Sequence, residues 1–286
     1  MNHQHKCSFK FPPAIAALLC LALLPAALAQ TAPSLGAAST FAVLGGSNVT
    51  CTGPGVITGD VGVSTGVFTS TTGCVVVGTV HQGDSAASAA HNAFDNAYSN
   101  ALAANPVCNQ TLAAAPGASF TLPPGVYCSV AALTFTTITL TLDAGGNANA
   151  VWIFKIPAAL TGTNFQVVMA GGGQPCNVFW LVGSESTLTT STFQGNILAG
   201  GTTGSFTSTG GALIGRVLAN GAVTMTGPNV HGTCAIAAGG GGGGCDMDEG
   251  DRDRHHKDKD KDKERDRDKD KHKDRDHDNN DDHHDE

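Results

Sequence analysis

The chain between Gln30 and Cys245 has very little charge. The whole sequence contains 24 acidic and 16 basic residues, but this stretch holds only five acids and two bases. They are Asp60, Asp84, Asp95, Asp143, Glu185, Lys155 and Arg216. A typical protein surface carries charge at about a quarter to a third of its positions. Because no basic stripe is present to neutralise phosphates, we expect no nucleic acid as partner.

The same stretch lacks the residue clusters on which enzymes and metal sites depend. Polysaccharide lyases and hydrolases need clustered carboxylates, or a base beside a neutralising cation, and the five acids form no evident pair. No C-x-x-C pair and no metal-type Cys/His spacing occurs. His81 and His231 have no nearby partner in sequence. We therefore expect no enzyme, no cofactor and no bound metal.

No apolar run is long enough to cross a bilayer. The run Ala14–Leu24 follows Lys6 and Lys10 and precedes the small-residue motif Ala27-Leu28-Ala29. This is the pattern of a cleaved secretory signal peptide. We expect residues 1–29 to be removed, and the protein to be secreted with Gln30 at its start.

Most of the charge lies at the C-terminal end. Residues 246–286 contain 19 acids and 12 bases and no apolar residue after Met247. Such a segment cannot bury a core, so we expect a disordered tail joined to the domain 30–238 by the Gly-rich linker 239–245. Its six histidines are ligands for weak metal binding, but a solvating polyampholyte is the favoured interpretation.

Seven cysteines remain once the signal peptide is removed. They are Cys51, Cys74, Cys108, Cys128, Cys176, Cys234 and Cys245. A secreted chain favours disulfides, and the local pairs Cys51–Cys74 and Cys108–Cys128 are preferred. The sequence does not settle the connectivity, and one cysteine must stay outside any intramolecular pair.

The stretch Asn149–Gly201 contains a repeat. Asn149-Ala-Val-Trp-Ile-Phe aligns with Asn177-Val-Phe-Trp-Leu-Val at an offset of 28 residues, and the alignment continues without a gap. Each unit has three short β-rich runs separated by Gly, Pro or Ser. This predicts one three-stranded coil of a β-solenoid per unit. Two similar hairpins of a β-sandwich are the alternative. A shorter unit then matches Ile197–Ala199 to Val217–Ala219 at an offset of 20.

One segment, Asp84–Ala104, has helical rather than β periodicity. Asp84 is placed to cap the first turn. Small or aromatic residues recur along one face, which suits close packing against a sheet. They are Ala87, Ala90, Phe94, Ala97, Tyr98 and Ala101. His91 is expected to be a partly exposed helix residue.

The residues now identified resemble a known family, the microbial ice-binding proteins with a discontinuous β-solenoid fold. The matching elements include Phe41-Ala-Val-Leu44, Ile57-Thr-Gly-Asp-Val-Gly62, Leu122-Pro-Pro-Gly-Val-Tyr127, Asn149-Ala-Val-Trp-Ile-Phe154 and Gly215-Arg-Val-Leu-Ala219. They cover Leu35 to about Val230 in the family's order. The resemblance implies a right-handed, three-faced β-solenoid with one long helix alongside, whose N- and C-terminal parts stack although the helix separates them in sequence.

Ice binding is the first functional hypothesis. A Thr-x-Thr pair on successive coils would make a flat grid of hydroxyl and methyl groups that matches an uncharged, repeating lattice. The candidate residues are Thr137, Thr139, Thr141, Thr161, Thr163, Thr187, Thr189, Ser205, Thr207, Thr224 and Thr226. The offset of 28 predicts Thr187 and Thr189 near the centre, with Thr161 beside Thr189 on the adjacent coil.

A secreted structural or adhesion module is the alternative. The same solenoid would then contact a cell surface or matrix, and the tail would attach or space it. Aligned Thr rows free of bulky side chains would favour ice, whereas a grooved face with exposed aromatic residues would favour glycan or protein ligands. We expect a monomer in either case.

Overall fold

Seven short strands form before the helix. The structure is a computed structural model that describes residues 30–71, 73–105, 107–202 and 204–232; the expected signal peptide, linker and tail lie outside these residues, as do Cys234 and Cys245. A 3-10 helix, Gly36–Thr40, comes first. The strands that follow are β1 (Phe41–Gly45), β2 (Val49–Thr52), β3 (Gly55–Thr58), β4 (Asp60–Val63), β5 (Phe68–Ser70), β6 (Cys74–Val77) and β7 (Val80–Gln82).

The helix α1 spans Ser85–Ala104, as the sequence predicted. It begins where the Asp84 carboxylate accepts a hydrogen bond from the Ala87 backbone N–H at 2.8 Å. That bond, followed by the bond to His81, lowers the pKa of Asp84. Because the pKa is depressed in the fold, the stabilisation is present above the unfolded pKa of Asp84 and is lost as pH falls through its folded pKa.

Up to residue 232, seventeen strands follow the helix, with a second 3-10 helix at Pro175–Asn177 between β15 and β16. They are β8 (Gln110–Thr111), β9 (Phe120–Leu122), β10 (Gly125–Cys128), β11 (Leu133–Thr136), β12 (Thr139–Asp143), β13 (Trp152–Ile156), β14 (Leu160–Thr163), β15 (Gln166–Ala170), β16 (Val178–Val182), β17 (Ser186–Thr189), β18 (Thr192–Gln194), β19 (Asn196–Ala199), β20 (Phe206–Thr209), β21 (Ala212–Ile214), β22 (Val217–Ala219), β23 (Val223–Thr226) and β24 (Asn229–His231).

The strands form three parallel sheets that enclose a triangular β-solenoid. We call them the helix-side sheet (β7-β4-β1-β22-β19-β16-β13-β10-β8), the threonine sheet (β11-β14-β17-β20-β23-β2-β5) and the mixed sheet (β6-β3-β24-β21-β18-β15-β12-β9). Each complete coil contributes one strand to each sheet, so inward side chains of all three sheets meet in one core. The β-sandwich alternative is wrong.

The solenoid is discontinuous in sequence. The last coil, β22–β24, pairs with the first coil, β1–β3, through Val43↔Val217, Val49↔Val223 and Val56↔Asn229. Helix α1 carries the chain from one end of the stack to the other. The closing contact in the middle of the stack therefore joins residues more than 170 positions apart.

The offset between the two Trp-containing coils is 26 residues, so the predicted offset of 28 is wrong. Trp152 pairs with Val178, and Phe154 pairs with Trp180. The Phe154 and Trp180 rings stack at a centroid distance of 3.8 Å and an interplanar angle of 8°. Both offsets keep the same residues inward because side chains alternate with period two along a strand. The later offset of 20, which pairs Ile197 with Val217, is confirmed.

A glycine helps to fix the true offset. Gly162 pairs with Leu188, and a Cβ on Gly162 would come within 2.9 Å of the Leu188 side chain. Leu188 thus fills the space that a side chain at position 162 would need. The adjacent stack of Phe135 on Phe165, with centroids 4.2 Å apart, continues the same close packing.

Among the described residues, two disulfides link neighbouring coils. Cys51 bonds to Cys74, and Cys108 bonds to Cys128, which confirms both preferred pairs. The first links β2 to β6, in the last coil before the helix. The second links the segment before β8 to β10, at the opposite end of the stack. Each disulfide therefore ties down a terminal coil, where only one neighbouring coil is available for pairing.

Helix α1 packs on the helix-side sheet. Ala90, Phe94 and Ala97 are buried against outward residues of that sheet, among them Phe179 and Leu198. His91 is partly exposed, as expected, although its Nδ1 atom is buried with no hydrogen-bond partner. The only two basic residues described both lie on this side: Lys155 Nζ donates to the Asn105 carbonyl at the helix end, and Arg216 Nε donates to the Ser39 carbonyl.

We expect Phe94→Ala to lower the free energy of unfolding by about 3–5 kcal/mol, because Phe94 is fully buried between helix and sheet. Chemical denaturation followed by circular dichroism measures this change. Asn96→Ala, at an exposed position on the same helix, is the matched control and should stay within about 0.5 kcal/mol of the parent. Equal stability of the two variants would show that the helix does not dock through Phe94.

Candidate ligand-binding face

The helix leaves the other two sheets as candidate binding faces. Among the described residues, the helix α1 and the 3-10 helix Gly36–Thr40 pack on the helix-side sheet. No described helix covers the outward surface of the threonine sheet or of the mixed sheet. The two sheets differ in which residues they expose and in how regularly those residues repeat, and these differences identify the better candidate face.

Threonine occupies every outward position of the two columns that run across the threonine sheet. The first column is Thr134, Thr161, Thr187, Thr207, Thr224, Thr50 and Thr69. The second column is Thr136, Thr163, Thr189, Thr209, Thr226 and Thr52. Strand pairing places each threonine directly beside the next of its column. The two columns therefore form one uninterrupted array, which we call the threonine grid.

The spacing of the grid follows from β geometry. Outward residues two apart on one strand lie about 6.5–7 Å apart, and neighbouring strands are about 4.8 Å apart. The intervening residues point inward: Leu160 and Gly162, for example, are buried while Thr161 and Thr163 are half-buried. Since every outward group is the same size, the surface is flat at the level of the threonine side chains.

Most hydroxyls of the grid are available to a ligand. Thr52 Oγ1 and Thr226 Oγ1 lie 3.0 Å apart and share a hydrogen bond. The remaining grid threonines, in the part of the chain that the structure describes, have no side-chain hydrogen bond to protein. Their Oγ1 groups can each donate and accept, and χ1 of threonine is stiff because Cβ is branched.

The grid carries no charge and no titratable group. All of its described outward side chains are threonines, and Glu185 lies just outside it, one residue before β17. The groups with a clear pKa shift lie elsewhere: Asp84 caps the helix, Tyr98 belongs to the helix, and burial raises the pKa of Tyr127 in β10 to about 12. The face therefore presents only neutral hydroxyl and methyl groups.

The mixed sheet has no comparable array. Its outward residues change from strand to strand: Thr139 pairs with Gln166, and Thr141 pairs with Val168. At the end formed by β3 and β6, its outward valines Val56, Val75 and Val77 are exposed. No single chemical group repeats along the sheet, so it cannot match a simple lattice.

Seven of the eleven candidates expected from the sequence lie on the grid. Thr161, Thr163, Thr187, Thr189, Thr207, Thr224 and Thr226 all belong to it. Thr161 lies beside Thr187 rather than the predicted Thr189, because the offset is 26. The grid also contains Thr50, Thr52, Thr69, Thr134, Thr136 and Thr209, which were missed.

The other four candidates lie off the grid. Thr139 and Thr141 belong to β12 of the mixed sheet, and Thr137 lies at the corner between β11 and β12. Ser205 precedes β20, and its carbonyl accepts a hydrogen bond from Ser186 N. A change of parity marks the corner: apolar residues fall at Leu133 and Phe135, then at Ile138 and Leu140. That shift from odd to even positions was the signal that Thr134 and Thr136, not Thr139 and Thr141, belong with Thr161.

No described group of three or more His, Cys, Asp or Glu side chains converges as a metal site. No described helix is long and apolar enough to cross a bilayer.

Comparison with known proteins identifies the lineage of this solenoid. The family model described as Ice-binding-like matches residues 43–231. An "Ice-binding protein" of Nostoc sp. (strain HG1) is 44% identical over 216 residues, which cover 73% of this chain and 77% of that protein. One of Flavobacterium frigoris (strain PS1) is 33% identical over 207 residues, covering 67% and 73% respectively.

Solved structures agree with the fold. The crystal structure of an ice binding protein from an Antarctic Biological Consortium superposes with a TM-score of 0.64 at 36% identity, covering 71% of this chain and 91% of that one. An ice-binding protein from Arctic yeast superposes with a TM-score of 0.60 at 26% identity, covering 69% and 93%. From the matched span and these relatives, the chain belongs to the Ice-binding-like family, a non-enzymatic family.

Proposed function

We propose that this protein binds ice through the threonine grid and thereby inhibits ice growth or recrystallisation. The observation that carries the proposal is the unbroken register of threonine pairs across the sheet. Relatives named ice-binding proteins support the ligand, and the geometry of the grid supports the face.

The mechanism needs many weak contacts that act together. Ice presents a repeating, uncharged lattice of water oxygens. Each threonine offers one hydroxyl, which can bond a lattice water, and one methyl, which can lie against it. The paired parallel strands already fix the backbone of the grid, and the branched Cβ of threonine restricts χ1. Adsorption therefore costs few side-chain rotations and no backbone rotations. Adsorbed protein then blocks the addition of water between anchored molecules.

The absence of charge on the grid contributes to selectivity for ice over liquid water. An ionised side chain holds a strongly bound, liquid-like hydration shell that a crystal face cannot accommodate. The two bases of the described domain lie on the helix side, where they bond backbone carbonyls instead. The face left for the lattice is therefore neutral across all seven strands.

The adhesion alternative is less well supported. Exposed large apolar residues in the described chain are all valines, and none is aromatic. Glycan and protein surfaces are typically bound by aromatic anchors in grooves. The flat grid offers neither feature.

We further propose that the protein acts outside the cell, since the pattern of residues 1–29 is that of a secretory signal. We also propose that the tail 246–286 is not required for ice contact.

We expect Thr189→Tyr to abolish or strongly reduce thermal hysteresis. Thr189 lies in the second column with neighbours Thr163 and Thr209 on either side, so a raised ring would hold the surrounding grid off the lattice. Folding should change by no more than about 0.5 kcal/mol, because the side chain points outward. A nanolitre osmometer measures the hysteresis, and circular dichroism checks the fold.

Thr141→Tyr is the matched control for this variant. It introduces the same ring at an outward threonine of the mixed sheet. Its hysteresis should equal that of the parent protein. Equal loss in both variants, or loss only in Thr141→Tyr, would assign ice binding to another face. A parent protein without hysteresis or recrystallisation inhibition would favour the adhesion alternative.

We expect thermal hysteresis to be independent of pH between about 5 and 9, because the grid contains no group that titrates in that range. At lower pH the Asp84 cap is lost and stability falls, but the activity per folded molecule should not. The measurement pairs hysteresis with the folded fraction at each pH. A titration of activity at constant folded fraction would place an ionisable group at the ice contact.

A further inference from the structure

A third column runs along one border of the threonine grid. It consists of the residue that follows the second-column threonine on each coil, at the corner toward the mixed sheet. The six members in stacking order are Thr137, Asn164, Thr190, Gly210, Gly227 and Gly53. We call this set the corner column.

The corner column is in register with the grid. The backbone N–H of Thr137 donates to the Thr163 carbonyl, that of Asn164 to the Thr189 carbonyl, and that of Thr190 to the Thr209 carbonyl. The same bond continues from Gly210 to Thr226 and from Gly227 to Thr52. The corner residues are therefore spaced by one strand separation, about 4.8 Å, as the grid is.

All six corners have the left-handed backbone conformation. The φ angles are 63°, 63° and 72° at Gly210, Gly227 and Gly53. They are 53°, 49° and 48° at Thr137, Asn164 and Thr190, which are the only non-glycine residues with positive φ among those described. Glycine adopts this conformation without strain, whereas a β-branched residue such as threonine rarely does.

The turn itself does not require backbone strain. The strain arises because a residue with a side chain occupies the left-handed conformation. Glycine serves at three equivalent corners, so glycine would also satisfy the backbone at the other three. Retaining threonine at two of them costs stability, more than asparagine does at the third, and such strain concentrates at functional positions. Something other than the fold has to account for these three side chains.

The three side chains are exposed, and two of them are joined by a hydrogen bond. Thr137, Asn164 and Thr190 all face solvent. The Thr190 hydroxyl donates a hydrogen bond to Asn164 Oδ1, so two successive corners are held in one arrangement. They adjoin the second-column residues Thr136, Thr163 and Thr189, on three adjacent strands of the grid.

We propose that Thr137, Asn164 and Thr190 extend the ice-contacting surface as a third column over the half of the grid formed by β11, β14 and β17. This rests on the proposed function of the grid. In this half the lattice meets three rows of polar groups, and in the other half, where the corners are glycines, it meets two. The density of ice contacts is thus highest at the end of the grid near β11. The corner side chains determine how far the contact area extends beyond the threonine sheet.

The test replaces the three corner side chains by glycine, in the combined variant Thr137→Gly, Asn164→Gly and Thr190→Gly. Its melting temperature should be equal to or higher than that of the parent, because strain is removed without loss of core contacts. Its thermal hysteresis should fall roughly twofold or more, since ice contacts act together. The single variant Thr190→Asn should lose less hysteresis than Thr190→Gly, because asparagine tolerates this backbone and retains a polar group.

The reciprocal variant Gly210→Asn lengthens the column by one coil. A Cβ at Gly210 has no neighbour closer than 3.8 Å, so the side chain has room. Hysteresis should rise above that of the parent, and the melting temperature should fall or stay level. A gain of activity from one added side chain is an outcome that a merely structural corner would not produce.

The outcomes separate this inference from the proposed function. Parent activity that is lost in Thr189→Tyr but unchanged in the triple glycine variant overturns the corner column and leaves the grid. A triple variant that loses both activity and several degrees of melting temperature shows a structural ladder, which also overturns it. An inactive parent protein overturns both proposals.

Discussion

The parallel backbone ladder between neighbouring coils is the interaction on which the rest of this structure depends. Each strand bonds to the strand of the coil above and below it, and the three sheets share one set of coils. If the strands of one sheet shifted their pairing, the chain would have to absorb that shift at the two corners that lead to the other two sheets. Stacked aromatic rings such as Phe154 on Trp180 and the close fit of Leu188 at Gly162 make the observed offset the one that fills the core. The same strand pairing also aligns the outward residues of each sheet.

This explains how a chain with irregular coil lengths produces a regular surface. Successive pairs on the threonine sheet are offset by 27, 26, 20 and 17 residues, as Thr134↔Thr161, Thr161↔Thr187, Thr187↔Thr207 and Thr207↔Thr224 show. The differences are absorbed in the turns outside the strands. Thr224 then pairs with Thr50, from the other end of the sequence, without a break in the array. Function of the face depends on spatial register, and the sequence period need not be constant.

Much of the fold could be predicted from the sequence, because the signals were local. Asp84 as a cap and the small-residue face around Phe94 identified the helix, and the two disulfides join cysteines close in sequence. The register could not be predicted in the same way. Offsets of 26 and 28 leave the same residues inward, so the alternating pattern supports both equally. Aligning Trp152 with Trp180 was the natural choice by identity, yet Trp180 packs over Phe154.

The candidate site was recovered in part for a related reason. Thr-x-Thr pairs are readable on single strands, but the sheet to which a strand belongs depends on where the chain turns. Thr139 and Thr141 were counted among the candidates together with Thr161, although the parity of the apolar residues changes before them, at Thr137. That corner is also where the backbone becomes left-handed. Glycine usually marks such a turn in a sequence, and threonine at this turn gives no such signal. Only the change of parity could have revealed the turn.

The division of labour among the three sheets follows from what each must exclude. The helix-side sheet buries large apolar residues under α1 and gathers the two bases, Lys155 and Arg216, as donors to backbone carbonyls. The large apolar side chains under α1 and both bases therefore lie on one side of the triangle. The threonine sheet is then free to carry one small, neutral group at every outward position. A solenoid without the flanking helix would need polar residues on all three faces, because large exposed apolar patches are rare on soluble monomers. The helix covers the outward apolar residues of the helix-side sheet, and the uncharged threonine grid stays free of such cover by any described residue.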